Sequence, residues 1–535
     1  MNDTRGGSGV TRASRGRLFG RSVLTGIFRA GPHEDLFLGE LLVANDEQSG
    51  RRYLYRVVDV SYGTDHREPG WAERIAGTLL SDDAAGRSGE HVLHEAARRI
   101  HRVGECRCLG YIDSSGPRPV FRKPKSLPAQ FSRVDSPTEH DLAFLRDKMG
   151  DLPFGRLRSG ETVLDVAVGI HSERLASHVG VFATTGMGKS NAVRVLAAGV
   201  MASNRPVAMM IIDPHGEFAA ELRRHPHAED RLKVFAAREL GYGSRLRLAL
   251  AELSLEDLQT AYSWSSPQVE ALYELEKHYG HHSSGLSWLA EFAQVEQLAE
   301  FRDIELNRRV ALATLQVVHR RARRLVQLRC LSLDSSLSVG QSVLRELRRG
   351  SVVVIDVSGL QSTEELLVAS NLSRRVFDAW QDAYVNRREE FAALPVVSIV
   401  LEEAQRVLAK SRDGDLNVFP RIAREGRKFK VGLCAVSQQP RLIDDELLSQ
   451  LSTFLILGLA DEKDRAVLRG SAKRDVSDLG PEIQTLMEGE ALLVNLDTPF
   501  ALPTLVDFYD DVVRNTPAPA RAARSAPPSV SGLVD

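Results

Sequence analysis

The stretch Val179-Gly180-Val181-Phe182-Ala183-Thr184-Thr185-Gly186-Met187-Gly188-Lys189-Ser190-Asn191 decides the fold of this 535-residue chain. Its first five residues have the length and apolar character of a short buried strand. The two glycines around Met187 allow a tight loop, and Asn191 to Ala202 has the pattern of a helix. A strand, a glycine-bearing loop ending in Lys-Ser and a helix together form a phosphate-binding loop. Backbone N–H groups turn inward at the positive end of the helix and cradle the phosphates of a nucleotide. Thr184, Thr185, Gly186, Met187, Gly188, Lys189, Ser190 and Asn191 are therefore candidate nucleotide-binding residues. Lys189 is placed to reach the β- and γ-phosphates as a point charge, and the Ser190 hydroxyl to ligate Mg²⁺. Ala183 stands where the usual pattern has glycine; only ordinary strand geometry is needed there.

Outward from this loop the chain alternates strand and helix. Val207–Ile212, Val352–Ile355, Val396–Leu401, Leu433–Val436 and Phe454–Leu457 are apolar runs of strand length, which predicts a parallel sheet covered on both faces. Leu253 to Leu347 is helical throughout. Ahead of the loop, Leu36–Val43 and Tyr53–Val60 read as strands joined by a turn at Asn45–Gly50, with Val120–Arg122 as a further strand and Ala72–Ile100 as a helical excursion. The predicted architecture is α/β: a RecA-like P-loop NTPase core with a helical insertion, preceded by a small N-terminal β-barrel. Its boundaries are a disordered basic tail at 1–16, a barrel-like domain at 17–135 and a linker at 136–160. The first part of the ATPase core follows at 161–252, the insertion at 253–347, the second part of the core at 348–513 and a flexible tail at 514–535.

Composition excludes several classes. The 69 Lys+Arg nearly cancel the 71 Asp+Glu, which argues against a basic nucleic-acid coat or an acidic disordered chain. Four cysteines are too few for a disulfide scaffold, and Cys106-x-Cys108 lacks the second pair of a zinc site. Val195–Ile212 is broken by Asn204-Arg205-Pro206, so neither half spans a bilayer. A reduced, cytoplasmic protein without membrane segments is expected.

Hydrolysis needs groups beyond the phosphate loop. The strand Val396–Leu401 ends in Glu402 and Glu403. Set beside the P-loop strand, it would deliver Glu402 to Mg²⁺ and Glu403, as general base, to the attacking water; a solvated strand end is the alternative. Asp213, in Asp213-Pro214-His215-Gly216-Glu217, closes the next strand where open α/β sheets bind ligands; a plain Asp-Pro turn is the alternative. Arg421, Arg424, Arg427 and Lys428 recur at helical spacing. One of them could enter a neighbouring subunit's site, or the four could form a solvated basic face. Gln438, in Ser437-Gln438-Gln439-Pro440, could sense the γ-phosphate or simply cap a turn. Arg320, Arg321, Arg323 and Arg324 on a helix, and Lys410 with Arg412 beside Asp413-Gly414, are candidate DNA contacts, with solvated faces as the alternative.

The order Thr-Gly-Met-Gly-Lys-Ser, Asp-Pro-His-Gly-Glu-Phe, Leu-Glu-Glu-Ala-Gln, Ala-Arg-Glu-Gly-Arg-Lys-Phe and Ser-Gln-Gln-Pro resembles HerA, the bipolar DNA-translocating ATPase of the HerA/FtsK branch of P-loop motors. The resemblance covers about residues 150–510. The departures are Ala183, Glu402 where Asp is commoner, and Gln405 and Gln439 where His and Arg are frequent. It implies a homohexameric ring that hydrolyses ATP with Mg²⁺ between subunits and passes double-stranded DNA through its centre. It also implies an arginine finger from Arg424 or Arg427 and a partner nuclease, often NurA, docked on the barrel in DNA end resection; bacterial relatives serve antiphage defence with other effectors. Two rivals stand beside an ATP-driven translocase or helicase. One is a nucleotide-regulated scaffold that assembles a nuclease or other effector; the other is a conjugation-type pump, which usually carries membrane spans.

Overall fold

The computed structural model describes residues 14–31, 34–64, 70–87, 100–113, 119–279, 285–298, 310–409 and 417–518. Seven strands come first: β1 Gly16–Gly20, β2 Thr25–Ala30, β3 Leu41–Asp46, β4 Arg51–Thr64, β5 Ile100–Asp113, β6 Val120–Arg122 and β7 Ser132–Asp135. They run in the order β2-β1-β7-β3-β4-β5, and a further β2–β5 pairing closes six of them into a barrel with β6 outside on β5. Closure leaves those six strands no free edge. Register shifts in the β4–β5 ladder, at Leu54/Tyr55 and Val57/Asp59, bend the two 14-residue strands around the barrel. Phe28, Leu42, Tyr53, Tyr55 and Cys106 fill its interior. Cys106 and Cys108 are buried strand residues, and burial pushes the Cys108 thiol up to about 11, so they are packing thiols.

The second body is built on β8 Leu152–Ser159, β9 Thr162–Ile170, β10 Val179–Phe182, β11 Val207–Asp213, β12 Leu232–Ala236 and β13 Ser244–Arg245. It continues through β14 Leu248–Ala249, β15 Leu331–Ser332, β16 Val352–Asp356, β17 Val396–Leu401, β18 Val431–Ser437, β19 Thr453–Leu457, β20 Glu490–Val494 and β21 Leu502–Val506. Twelve of these form one sheet in the order β13-β12-β16-β11-β17-β18-β10-β19-β20-β21-β8-β9, while β14 and β15 pair separately. Alternate β10 side chains enter opposite layers. Val179 and Val181 pack with the P-loop helix Lys189–Ala202, and Phe182 packs on the side of the long helix Ser362–Asn386 and the insertion. Between β14 and β16 lie the helices Leu255–Ala261, Ser266–Tyr279, Trp288–Gln294, Leu312–Val326 and Gly340–Arg348, whose apolar faces join the same layer.

The structure corrects three expectations. The sheet is parallel only from β13 to β19; β20, β21, β8 and β9 extend it antiparallel. Ser136–Gly160 is not simply a linker, because Leu152–Ser159 is β8 and packs against the P-loop helix. Of the helix foreseen over Ala72–Ile100, the described part is Trp71–Ala84; residues 88–99 lie outside the described residues, and β5 begins at Ile100. Finally, β17 is not beside β10: β18 pairs with both and separates them. Lys410, Arg412, Asp413 and Gly414 lie outside the described residues, as do most residues of both predicted tails.

Candidate functional site

The β10 ladder positions the phosphate loop. Ala183 continues the strand, its N–H donating to the Ser437 carbonyl at 3.3 Å, and it is not among the positive-φ residues, so no glycine is required. Gly186 and Gly188 have φ of 83° and 95°, where a Cβ is disfavoured, and Gly188 caps the helix that begins at Lys189. The Thr184 N–H donates to the Gly458 carbonyl at 2.8 Å, and the Met187 carbonyl accepts from Gly489 N–H at 3.4 Å. These two residues anchor the loop to its surroundings.

A cavity of about 680 Å³ opens over this loop. Thr185, Gly186, Gly188, Lys189, Ser190 and Asn191 line one wall, and Asp213, Glu217, Glu402, Glu403 and Gln438 another. Three sequence-distant strand ends, those of β11, β17 and β18, thus converge on the phosphate loop, as the C-terminal edge of a parallel sheet should. Within the cavity the Ser190 hydroxyl donates to Glu217 Oε2 at 3.1 Å. Glu402 is buried and its Oε1 has no hydrogen-bond partner. Burial pushes its carboxyl up to about 7; Lys189 opposes the shift, and Asp213, Glu403 and Glu217 add to it.

Glu403 is held differently. Its backbone sits at φ 50°, ψ 45°, in the left-handed region that non-glycine residues rarely occupy. Its Oε1 accepts from Gln438 Nε2 at 3.1 Å, and its Oε2 accepts from Gln405 Nε2. Gln405 Oε1 in turn accepts from the Ser437 hydroxyl at 2.6 Å, and Gln438 Oε1 accepts from the Thr185 hydroxyl at 2.5 Å. Gln438 therefore bridges the phosphate loop and Glu403. Gln405 and Gln438 supply the amides that orient this carboxylate.

Other predicted residues are placed elsewhere. Asp213 borders the cavity, but its carboxylate accepts N–H bonds from His215, Gly216 and Phe218 at 2.7–3.1 Å and so shapes the loop after β11. The Asn191 side chain faces the segment after β21. Arg424 is exposed and pairs with Glu446 at 3.8 Å. Arg427 lines a different cavity of about 660 Å³ with His171, Arg205 and Lys430. Pro206 and Val396, at the starts of β11 and β17, line it too, so it lies at the opposite edge of the sheet. Arg421 pairs with Asp378 at 2.7 Å. Arg320, Arg323 and Arg324 are exposed on Leu312–Val326, whereas Arg321 lies 4.5 Å from the Trp264 ring centre. Sequence reasoning missed Glu217 as the partner of Ser190, although it stands inside the Asp-Pro-His-Gly-Glu motif; Glu488 and Phe508, also at the cavity, carried no motif.

The fit to a nucleotide and its cation follows from the donor set. A hydroxyl and an orphaned, buried carboxylate oxygen lining one cavity suit a hard cation whose remaining ligands come from phosphates and water. Among the described residues no group of three or more His, Cys, Asp or Glu could hold a metal without such help, and no helix is long and apolar enough to cross a membrane.

Comparison with known proteins agrees with this geometry. The model of the "Helicase HerA, central domain" family (DUF87) matches residues 152–376. A DNA double-strand break repair helicase HerA of Pyrococcus furiosus is 24% identical over 385 residues, covering 63% of this chain and 66% of that protein. A probable HerA of Methanocaldococcus jannaschii is 24% identical over 489 residues, 82% of this chain and 92% of its own length. The match thus spans about two thirds of the first of these relatives and nearly all of the second. Among solved structures, the plasmid coupling protein TrwB with ADP and Mg²⁺ aligns at TM-score 0.46 and 15% identity, over 66% of this chain and 95% of that one. With the HerA central domain running from β8 into the long helix Ser362–Asn386, and the Methanocaldococcus jannaschii relative aligned beyond it on both sides, the chain carries the central domain of HerA helicases and is an ATP-hydrolysing P-loop enzyme.

Proposed function

We propose that this protein is an ATP-driven DNA translocase or helicase acting as a homohexameric ring, with a nuclease partner in the processing of DNA ends. The observation that carries the reading is the convergence of Lys189, Ser190, Glu402 and Glu403 on one cavity, with Arg424 and Arg427 held away from it. Lys189 and the N–H groups of Gly186 to Ser190 hold the triphosphate. Glu403, oriented by Gln405 and Gln438, takes the proton of the attacking water, and Gln438 reports the γ-phosphate to the strand end through its bond to Thr185. Ser190 and Glu402 would hold Mg²⁺, which when bound neutralises charge on the β- and γ-oxygens.

The cavity's own arginines are already engaged. Arg194 donates to the Glu217 carbonyl at 3.3 Å, and Arg224 pairs with Glu221 and Asp510 at 2.7 and 2.9 Å. On this reading an arginine for the γ-phosphoryl group comes from a second copy, which is what a ring supplies. The names of the relatives, DNA double-strand break repair helicases, support DNA as the track. Antiphage defence is an alternative setting for the same motor.

The test is ATP hydrolysis with and without linear double-stranded DNA, on protein sized by light scattering. A hexamer-sized particle stimulated severalfold by DNA, with turnover abolished in Lys189→Ala, is expected. Hydrolysis indifferent to DNA would transfer the weight to a nucleotide-regulated scaffold, and normal turnover in Lys189→Ala would end the P-loop reading.

A further inference from the structure

We infer that Phe508 is the platform on which the base of the bound nucleotide stacks, and that the cavity takes purine nucleoside triphosphates by base stacking in addition to phosphate capture. The inference rests on the reading of the cavity at Lys189 and Ser190 as a nucleoside-triphosphate site.

Phe508 lies in the short link between β21, which ends at Val506, and the helix Tyr509–Asn515. Its side chain lines the same cavity as the phosphate loop and is 59% exposed, an apolar ring in a wall otherwise made mostly of charged and polar groups. Leaving a phenyl ring in water forgoes its burial energy, and a rigid ring at a ligand cavity is available to a flat apolar partner.

The backbone on either side of Phe508 is fixed. Asn191 Nδ2 donates to the Asp507 carbonyl at 2.9 Å, and Asn191 Oδ1 accepts from the Tyr509 N–H at 2.9 Å. Asp507 N–H donates to the Phe154 carbonyl at 3.1 Å, and the buried Tyr509 hydroxyl donates to the Glu221 carbonyl at 3.2 Å. One amide thus clamps the residues before and after the exposed ring.

The placement of the clamp supplies the chemistry. Asn191 directly follows Ser190, so the ring is tethered to the first turn of the helix whose N-terminus receives the phosphates. A nucleotide with its β- and γ-phosphates in the loop carries its ribose and base away from Lys189, and the Asn191 clamp places Phe508 next to the helix turn that follows Ser190, on the lining of the same cavity. The same geometry explains why the Asn191 side chain turns away from the phosphates. Stacking on a phenyl face is tolerant of base identity, so ATP and GTP should bind comparably, and pyrimidine nucleotides, with less ring area, more weakly.

The test compares Mg²⁺-ATP with inorganic tripolyphosphate, which has the phosphates and no base, by calorimetry on the full chain. Phe508→Ala should weaken ATP binding by about tenfold and leave tripolyphosphate binding unchanged, and Phe508→Trp should retain both. ATP binding by Phe508→Ala within twofold of wild type, while Lys189→Ala loses both ligands, would overturn the stacking role and leave the nucleotide site standing. Equal loss of both ligands in Phe508→Ala would overturn it as well, because a base platform cannot affect a ligand without a base. Failure of the wild-type chain to bind either ligand would remove the nucleotide site and the platform together.

Discussion

Replacing Glu482 by glutamine should destabilise the protein by about 3 kcal/mol, because one carboxylate serves two buried guanidiniums where the barrel meets the sheet. Glu482 Oε2 lies 2.5 Å from Arg56 Nη2 on β4, and Oε1 lies 3.1 Å from Arg158 Nη2 on β8. The three side chains are only 1–6% exposed. Breaking a buried pair from one side costs about 3–5 kcal/mol, since the remaining charge is left without compensation. The lower end applies here, because Arg158 keeps a second carboxylate, Glu490, at 3.5 Å and donates to the Gly160 carbonyl at 2.5 Å, while Arg56 donates to the Ala501 carbonyl at 2.8 Å. In urea this should move the first unfolding transition by about 1 M, taking a slope at the upper end of the small-protein range. A chain of two bodies need not unfold in one step, so hydrogen exchange in β4 should be followed alongside. The consequence reaches the site. Glu482 sits on the helix Gly480–Thr485, just ahead of Glu488 at the cavity and Gly489, whose N–H donates to Met187 in the phosphate loop. Replacing the triad together, as Arg56→Met, Arg158→Met and Glu482→Leu, should cost less than Glu482→Gln alone. A shift below about 1 kcal/mol for Glu482→Gln, or a triple variant worse than the single one, would refute the reasoning.

Glu403→Gln should retain ATP binding and slow hydrolysis by about 10²–10⁴, checked by single-turnover kinetics beside equilibrium binding. Gly188→Ala should impair nucleotide binding, because φ of 95° is strained for any residue with a Cβ; circular dichroism would show the fold retained. If an arginine acts across subunits, mixing Arg427→Ala with Glu403→Gln protein should restore some turnover, and rescue by Arg424→Ala instead would move the finger to that residue. Acid should weaken the fold through two histidines. Burial lowers His178 and His225 to about 4, with the nearby charge of His227 adding to the shift of His225. Between the ordinary histidine value and pH 4 the unfolded chain binds protons that the native chain does not. Stability should therefore fall by up to ~1.4 kcal/mol per pH unit for each group as pH drops through that window. Urea midpoints at pH 7 and pH 5 would check it, and His178→Gln should flatten the dependence.

The parts of the fold legible in the sequence were those set by local pattern. A four-residue strand, two glycines and Lys-Ser suffice for the phosphate loop, because backbone sterics and the helix terminus act within a dozen residues. The strands β11, β16, β17, β18 and β19 are buried on both faces and read as continuous apolar runs. What was not legible depends on pairing at long range. Leu152–Ser159 alternates Pro153, Arg156 and Arg158 with apolar residues, and its place in the sheet comes from β21, some 350 positions away. The barrel's closure rests on the β2–β5 pairing, and β5 carries Arg102, Glu105 and Arg107 among small residues that hide its strand character. Glu217 and Phe508 reach the cavity only once β11 and β21 are assembled around the P-loop helix.

The strand order has a chemical consequence. With β18 between β10 and β17, the phosphate loop and the glutamate pair are two strand spacings apart, about 10 Å, instead of one. On the proposed reading that gap is where the γ-phosphate and its attacking water sit, and Ser437 and Gln438 at the end of β18 lie between the two strand ends. Gln438 can then touch Thr185 on one side and Glu403 on the other. Had β17 been beside β10, no third strand end would lie between the two, and Glu403 would meet the phosphate loop with nothing to relay its state. The left-handed backbone of Glu403 completes the device. Immediately after Glu402, which continues the direction of β17 into the buried base of the cavity, the chain must turn sharply for Glu403 to reach the amides of Gln405 and Gln438. The conformational cost, about 1–3 kcal/mol for a non-glycine residue there, is offset by those two amide bonds. If Gln438 senses the γ-phosphate as proposed, the loss of that phosphate would be felt first at the Thr185–Gln438 bond. Gln438→Ala should therefore uncouple Glu403 from the phosphate loop, keeping ATP affinity within a few fold while slowing hydrolysis almost as much as Glu403→Gln. Equal turnover in Gln438→Ala and wild type would show that Glu403 is held by Gln405 alone.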